Sequence, residues 1–217
     1  MGKFGNDEIE KCAMLECREG LVKGMDGECR FVHEDAIVED GAIIGRGTRI
    51  WSWSHIMKDV IIGENCNIGE HVFVENGVRL GDGVKVKNNV ALYTGVICEN
   101  NVFLGPNCVF TNVVNPRSFI EKKKEFQHTH IRKGATIGAN ATIICGNEVG
   151  EYAFVGAGSV VTKNVPAYTM VVGNPARFHG YVCRCGEKLD ENLYCTACKE
   201  KYEKNVHGEI KRIGYWK

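Results

Sequence analysis

Residues 61–92 read I-I-G-E-N-C-N-I-G-E-H-V-F-V-E-N-G-V-R-L-G-D-G-V-K-V-K-N-N-V-A-L, and one apolar side chain returns at every sixth position: Ile62, Ile68, Val74, Leu80, Val86 and Leu92. Neither the 3.6-residue period of a helix nor the two-residue alternation of an ordinary strand gives that spacing. Followed outward, the step starts at Val38 and runs through Ile44, Ile50 and Ile56. It continues past Leu92 through Cys98, Leu104 and Phe110, then resumes at Ile131, Ile137, Ile143, Val149, Val155 and Val161. All nineteen positions are apolar.

Two further columns keep the same step. Four residues after each apolar position the side chain is mostly small or β-branched, as at Ala42, Thr48, Ser54, Val60, Cys66, Val72 and Val78. Three residues after it, 15 of 18 complete hexads carry Gly, Asn or Asp, the residues that tolerate positive φ and so mark a corner. Trp53, His71 and Tyr152 are the exceptions. A short strand, a corner and one large inward residue per hexad describe one wall of a parallel β-helix, whose apolar column is buried only when coils stack about 4.8 Å apart. The composition agrees. The chain has 26 glycines and only 4 prolines among 217 residues, against average usages of about 7% and 5%, because ladders need the backbone N–H that proline lacks.

Other features narrow the class. Lys plus Arg and Asp plus Glu both number 27, so no charge excess points to nucleic acid or an acidic membrane surface. No apolar run approaches the ~18 residues of a membrane span, and no signal-peptide stretch opens the chain. An odd count of 11 cysteines in a chain of this length argues for a reducing, cytoplasmic setting rather than a disulfide scaffold.

The register fails between Phe110 and Ile131, 21 residues apart, so an excursion leaves the solenoid around 112–130. A long insertion in a regular repeat is more often functional than idle. This one carries Asn112, Asn115, Arg117, Glu121, Lys122, Lys123, Lys124, His128 and His130. A second stretch, V-G-A-G-S-V-V-T-K-N-V-P at 155–166, reads as a last coil. Its Gly156, Ala157 and Gly158 leave backbone amides open to a thin ligand, with Lys163 and Arg177 available for phosphates.

Beyond the repeat, Cys183, Cys185, Cys195 and Cys198 are spaced C-x-C-x9-C-x-x-C. Two short thiolate pairs bracketing a hairpin-length insert suit tetrahedral zinc, which would stabilise a tail too small for its own core. Cys66, Cys98, Cys108 and Cys145 fall on or near the inward columns and read as buried thiols. Cys12, Cys17 and Cys29 have no evident fourth partner, though Cys29 and His33 could join a second site. The expected organisation is an N-terminal extension at 1–35, a β-helix domain at 36–177 and a metal-binding tail with four cysteine ligands at 178–217.

On these motifs the chain resembles the hexapeptide-repeat acyltransferases. The match lies in the last coil, from G-A-G-S-V-V-T-K-N-V-P to G-N-P-A at 173–176, which resembles the acetyl-CoA-binding coil of that superfamily. The resemblance implies a left-handed β-helix of about six coils, generic crossover rules favouring the other hand. It also implies a homotrimer with active sites between neighbouring prisms, and acetyl-CoA held by residues including Gly138, Gly156, Ala157, Lys163 and Arg177.

Further stretches resemble a narrower family, N-acetyltransferases of nucleotide-linked 3-amino sugars: I-W-S-W-S-H at 50–55, F-T-N-V-V-N-P-R at 110–117, E-K-K-K-E at 121–125 and R-K-G-A-T-I-G-A-N at 132–140. The branch acting on UDP-2-acetamido-3-amino-2,3-dideoxy-glucuronate is nearest, which would place the activity in surface polysaccharide or glycan biosynthesis. The resemblance makes Asn112 the active-site residue, its side-chain carbonyl accepting an amine N–H. Asn115 stands where O-acetyltransferases carry a histidine, which favours an amine acceptor. Asn115, Arg117, Glu121, Lys123 and His128 are the expected acceptor contacts. Two alternatives stand beside this reading. One is an acetyltransferase for another nucleotide amino sugar, such as a dTDP-3-amino-6-deoxyhexose, and the other is a non-catalytic solenoid scaffold with a zinc-ribbon-like tail.

Overall fold

The computed structural model describes residues 21–23, 29–206 and 208–215; Cys12 and Cys17 lie outside the described residues. The six-residue step becomes an 18-residue coil. Ile68 pairs in parallel with Ile50 below and Val86 above, Leu80 with Ile62 and Cys98, and Leu92 with Val74. Three hexads therefore close one turn, and successive turns stack into three parallel walls.

The first wall runs through Arg49–Ile50, Asn67–Ile68, Lys85–Val86, Phe103–Leu104, Thr136–Ile137 and Phe154–Val155. The second begins at Ile37–Val38 and ends at Val160–Val161, and the third spans Ile43–Ile44 to Glu148–Val149. Most strands are only two residues long because a corner follows each one.

Every corner from Gly41 to Gly158 has positive φ, including the three that break the residue-type rule: Trp53 at 57°, His71 at 55° and Tyr152 at 53°. The coil's closure, not the side chain, sets the backbone there.

Both inward columns are buried. Ile50, Ile56, Ile68, Leu92, Leu104, Ile137 and Ile143 are at 0% exposure, and each such side chain contributes roughly 1.5–3 kcal/mol. The polar members of the small column are satisfied by the neighbouring coil. The hydroxyl of Thr48 donates to Gly63 O and accepts from the Cys66 N–H, and Ser54 does the same with Gly69 O and the Val72 N–H. Cys66, Cys98, Cys108 and Cys145 are buried free thiols. Burial pushes the Cys108 thiol up to about 12, which leaves it unreactive near neutrality.

The ends extend the prism beyond the expected bounds. Cys29–Val32 pairs in parallel with Arg49–Ile50 and antiparallel with Leu21–Lys23. Cys29 is disulfide-bonded, so it supplies no thiolate for a second metal site with His33. At the other end Arg177–Tyr181 turns back antiparallel on Thr169–Val172, so the first wall's sheet continues through Tyr181. The tail then forms an antiparallel pair, Glu200–Lys204 with Ile210–Tyr215. It docks on the prism through Tyr168, which stacks on Tyr152 and meets Tyr202 edge-on.

Candidate active site

The excursion starts where the ladder stops. The Thr111 N–H still donates to Ile143 O, and its hydroxyl accepts from the Cys145 N–H. Phe110 itself pairs with Ile143, 33 positions on rather than 18. The neck is closed by Gln127 N–H to Asn112 O at 2.9 Å and by Gly146 N–H to His128 O at 3.1 Å. The chain is back in the third wall at Thr129–Ile131, paired with Val96–Cys98. The excursion is thus shorter than the expected 112–130, because Thr129 and His130 re-enter the sheet.

Asn112 is half-buried at this neck. Its backbone is fixed by Gln127, and its carboxamide makes no hydrogen bond among the described residues, so both polar ends are open to a ligand. The expected acceptor contacts Asn115, Arg117, Glu121, Lys123 and His128 are all exposed. Arg117 curls onto Pro116 O, Lys123 lies 3.9 Å from Glu121, and Lys122 pairs with Glu125 at 2.8 Å. His128 sits 6.3 Å, ring to ring, from His130. Val114, Phe119 and Ile120 are exposed on the same loop, Phe119 at 82%.

The expected cofactor residues divide between two edges of the prism. Gly138, Gly156 and Ala157 follow first-wall strands and lie on the edge between the first and second walls. Lys163 follows Val160–Val161, one hexad on, and lies on the edge between the second and third walls, the edge from which Asn112 leaves. The expectation of open amides at Gly156 and Gly158 is corrected, since Gly156 N–H donates to Val171 O and Gly158 N–H to Ala139 O, both at 2.8 Å. Ala157 is different. It is exposed, its N–H has no acceptor among the described residues, and a Cβ at Gly138 would sit 2.5 Å from that nitrogen. Glycine at 138 keeps the Ala157 amide clear. Arg177 is exposed and paired in register with Val172.

Between these two edges lies the second wall. Its outward column is Ile37, His55, Phe73, Ala91, Val109, Thr142 and Val160, with no Lys, Arg, Asp or Glu. By contrast the first wall shows Arg49 and Lys85 and the third Arg79 and Glu148. Ile37 and Val109 are 57% and 48% exposed. His55 Nε2 lies 2.8 Å from Glu39 Oε1, and Glu39 Oε2 accepts from the Lys58 N–H. That backbone bond, then His55, holds the Glu39 carboxyl below its ordinary range. Glu39 carries no signal in the sequence, because it comes to His55 only through the stacking of coils.

The four tail cysteines do converge. Their Sγ atoms all lie within 4.8 Å of one another, with Cys183 to Cys198 at 3.2 Å and Cys185 to Cys195 at 3.6 Å. A tetrahedral ion with Zn–S bonds of about 2.3 Å needs sulfurs about 3.8 Å apart, so the donor set fits zinc. The Tyr202 hydroxyl donates to Cys183 Sγ at 3.2 Å, and buried Glu200 lies between Arg184 and Arg212 at 2.6 and 3.0 Å. These contacts hold the knuckle and its cationic neighbours in place.

Comparison with known proteins gives a consistent set. The family model described as bacterial transferase hexapeptide (six repeats) matches residues 41–76, and that of the hexapeptide repeat of succinyl-transferase matches 59–94 and 130–163. The dTDP-3-amino-3,6-dideoxy-alpha-D-galactopyranose 3-N-acetyltransferase of Aneurinibacillus thermoaerophilus is 51% identical over 178 residues, 81% of this chain and 92% of that one. Serine acetyltransferase 4 of Arabidopsis thaliana is 30% identical over 168 residues, 77% of this chain but 33% of its own length. Among solved structures, a hexapeptide-repeat acetyltransferase of Vibrio cholerae complexed with acetyl coenzyme A is 23% identical with a TM-score of 0.48. It covers 54% of this chain and 68% of that one.

Proposed function

This chain belongs to the hexapeptide-repeat acetyltransferase family, and we propose that it moves acetyl from acetyl-CoA to the 3-amino group of a nucleotide-linked amino sugar. The observation that carries this reading is the 51% identity to a sugar-nucleotide N-acetyltransferase across 92% of that relative's length. The same relative favours a dTDP-linked 3-amino-3,6-dideoxyhexose as the acceptor over the UDP-linked uronate that the sequence motifs suggested. The 6-deoxy sugar has no carboxylate, so the loop cations are not needed to neutralise one.

The chemistry asks little of a strong base. The neutral amine attacks the thioester carbonyl, an N–C bond forms, the C–S bond breaks, and the amine's proton leaves with the CoA thiolate or to water. Asn112 accepts one amine N–H through its side-chain carbonyl and so aims the lone pair. The cofactor runs along the edge of Gly138, Gly156 and Ala157, where the Ala157 amide is free to donate, and Lys163 and Arg177 supply phosphate contacts. Asn115, Arg117, Glu121, Lys123 and His128 are the acceptor-side candidates. Assays of CoA thiol release with a panel of dTDP- and UDP-linked amino sugars test the proposal. Release with neither series would favour the scaffold reading.

A single prism keeps the cofactor glycines on one edge and the acceptor loop, together with Lys163, on another, with the second wall between them. A homotrimer of left-handed prisms, in which one copy's loop reaches a neighbour's glycine edge, brings them together. The uncharged outward column of the second wall and the exposed Phe119 support that contact. Val109→Arg would place an unpaired charge in the interface, at a cost of several kcal/mol. We expect light scattering to show loss of the trimer, and acetyl transfer to fall by more than about tenfold.

For the tail we propose a structural zinc on Cys183, Cys185, Cys195 and Cys198 in a ribbon-like fold. With all four positions taken by protein, it has no catalytic opening. Metal analysis of fresh protein should give about one zinc per chain. Cys195→Ser should abolish that stoichiometry and open the tail to protease, while the prism's circular dichroism persists.

A further inference from the structure

The edge between the first and second walls carries a second feature below the glycines. Corner positions in this fold require positive φ and are almost all Gly, Asn or Asp. At two successive corners of this one edge stand Trp53 and His71, with φ of 57° and 55°. Left-handed backbone is a genuine outlier for a bulky residue such as tryptophan, and such positions point towards function. Burial does not explain them. Trp53 is 58% exposed and His71 is exposed too. Their rings stack on each other, centroids 4.8 Å apart at 21°, leaving a flat aromatic surface toward solvent. Trp51, one strand-end away, is fixed by its indole N–H to Asn67 Oδ1 at 2.9 Å.

One coil further, Lys87 lies on the same edge and Lys85 on the adjoining face of the first wall. Both are exposed and have no carboxylate partner among the described residues. Continuing upward, the corner column passes Asn89, Asn107 and Asn140 to Gly158, beside Gly138, Gly156 and Ala157. At about 4.8 Å per coil, Trp53 and Asn107 are three coils or ~14 Å apart. The edge and its adjoining face therefore present, in order, an aromatic face, two free cations, a neutral polar stretch and the proposed cofactor glycines. That is the order of groups in a nucleoside diphosphate sugar laid end to end with an acetyl donor: base, diphosphate, amino sugar, thioester.

We propose that Trp53 and His71 form a stacking platform for the nucleobase of the acceptor, with Lys85 and Lys87 binding its diphosphate. This rests on the reading that the acceptor is a nucleotide-linked sugar. A stacking platform reads a base by its π-face and accepts thymine or uracil alike. The nucleotide would then be held mainly by its flat ring and its charge, with selectivity between sugars left to the acceptor loop.

The test is calorimetric titration of the full chain with dTDP and with UDP, and separately with acetyl-CoA. Variants are Trp53→Asn, which suits the corner backbone, Trp53→Phe and Lys87→Ala. Trp53→Asn should weaken both nucleotides by about tenfold or more, leave acetyl-CoA affinity unchanged and leave the melting temperature unchanged or raised. Trp53→Phe should retain much of the affinity, and Lys87→Ala should weaken binding more at low salt than at high salt. Unaltered nucleotide affinity in Trp53→Asn would overturn the platform while leaving the acceptor reading intact. Loss of the trimer in that variant would also overturn it, assigning Trp53 to a neighbouring copy instead. Wild-type protein that binds acetyl-CoA but neither nucleotide would remove both.

Discussion

Asn112→Ala is expected to lower acetyl transfer to the amino sugar by about 10²–10³-fold, comparable to losing one well-placed polar group at a reacting centre, with acetyl-CoA binding unchanged. The expectation follows from where the residue sits. The Asn112 backbone is pinned by Gln127 at the neck of the excursion, so truncating the side chain should leave the loop's path intact. Its carboxamide has no internal hydrogen bond to lose among the described residues, so little stability depends on it. An effect on turnover without an effect on melting temperature is therefore the diagnostic pair. Steady-state kinetics with the acceptor varied, alongside a thermal melt, checks it. Full activity in the variant would remove Asn112 from the mechanism.

The second large effect concerns the fold. Gly105→Val should cost more than about 4 kcal/mol or prevent folding, since overpacking against atoms that cannot move lies at the severe end of single substitutions. A Cβ at Gly105 would lie 2.6 Å from Ala139 N, 2.8 Å from Gly138 C and 2.8 Å from Ile137 O, all of them backbone of the next coil. Separating those coils would break the ladder on either side. Gly77→Ala is the control. Its φ is 79°, yet nothing lies within 4 Å of the new Cβ, so only the left-handed backbone is penalised, by about 1 kcal/mol. Denaturant unfolding of the two variants separates close approach from turn conformation, which the sequence presents as one surplus of glycine.

Much of this architecture is legible in the repeat itself, because a period of six with one large inward residue has few physical solutions. The inward columns, the corners and the interruption after Phe110 all follow from it. Residue type alone misjudges the corners at Trp53, His71 and Tyr152, where closure of the coil imposes positive φ on side chains that disfavour it. The division of the cofactor residues is also available in the sequence. Gly156 and Lys163 are seven residues apart in a six-residue repeat, and so must lie on successive edges, but reading them as one linear motif hides this.

What sequence spacing cannot supply is contact between coils. Glu39 meets His55 across one turn, and the amides of Gly156 and Gly158 are taken by Val171 and Ala139 of adjacent turns. The convergence of Cys183, Cys185, Cys195 and Cys198 is legible from their spacing. The Arg184–Glu200–Arg212 cluster behind them is not, since those residues come together only when the tail's hairpin folds over the cysteines.

A single acetyl transfer is the central claim, and its most direct measurement is release of CoA thiol from acetyl-CoA when a dTDP-linked 3-amino-3,6-dideoxyhexose is added to the full chain. The expected result is release that depends on the free amine, one thiol for each amide formed on the sugar, and none with the N-acetylated sugar. No release with any nucleotide-linked amino sugar, together with no binding of acetyl-CoA, would contradict it.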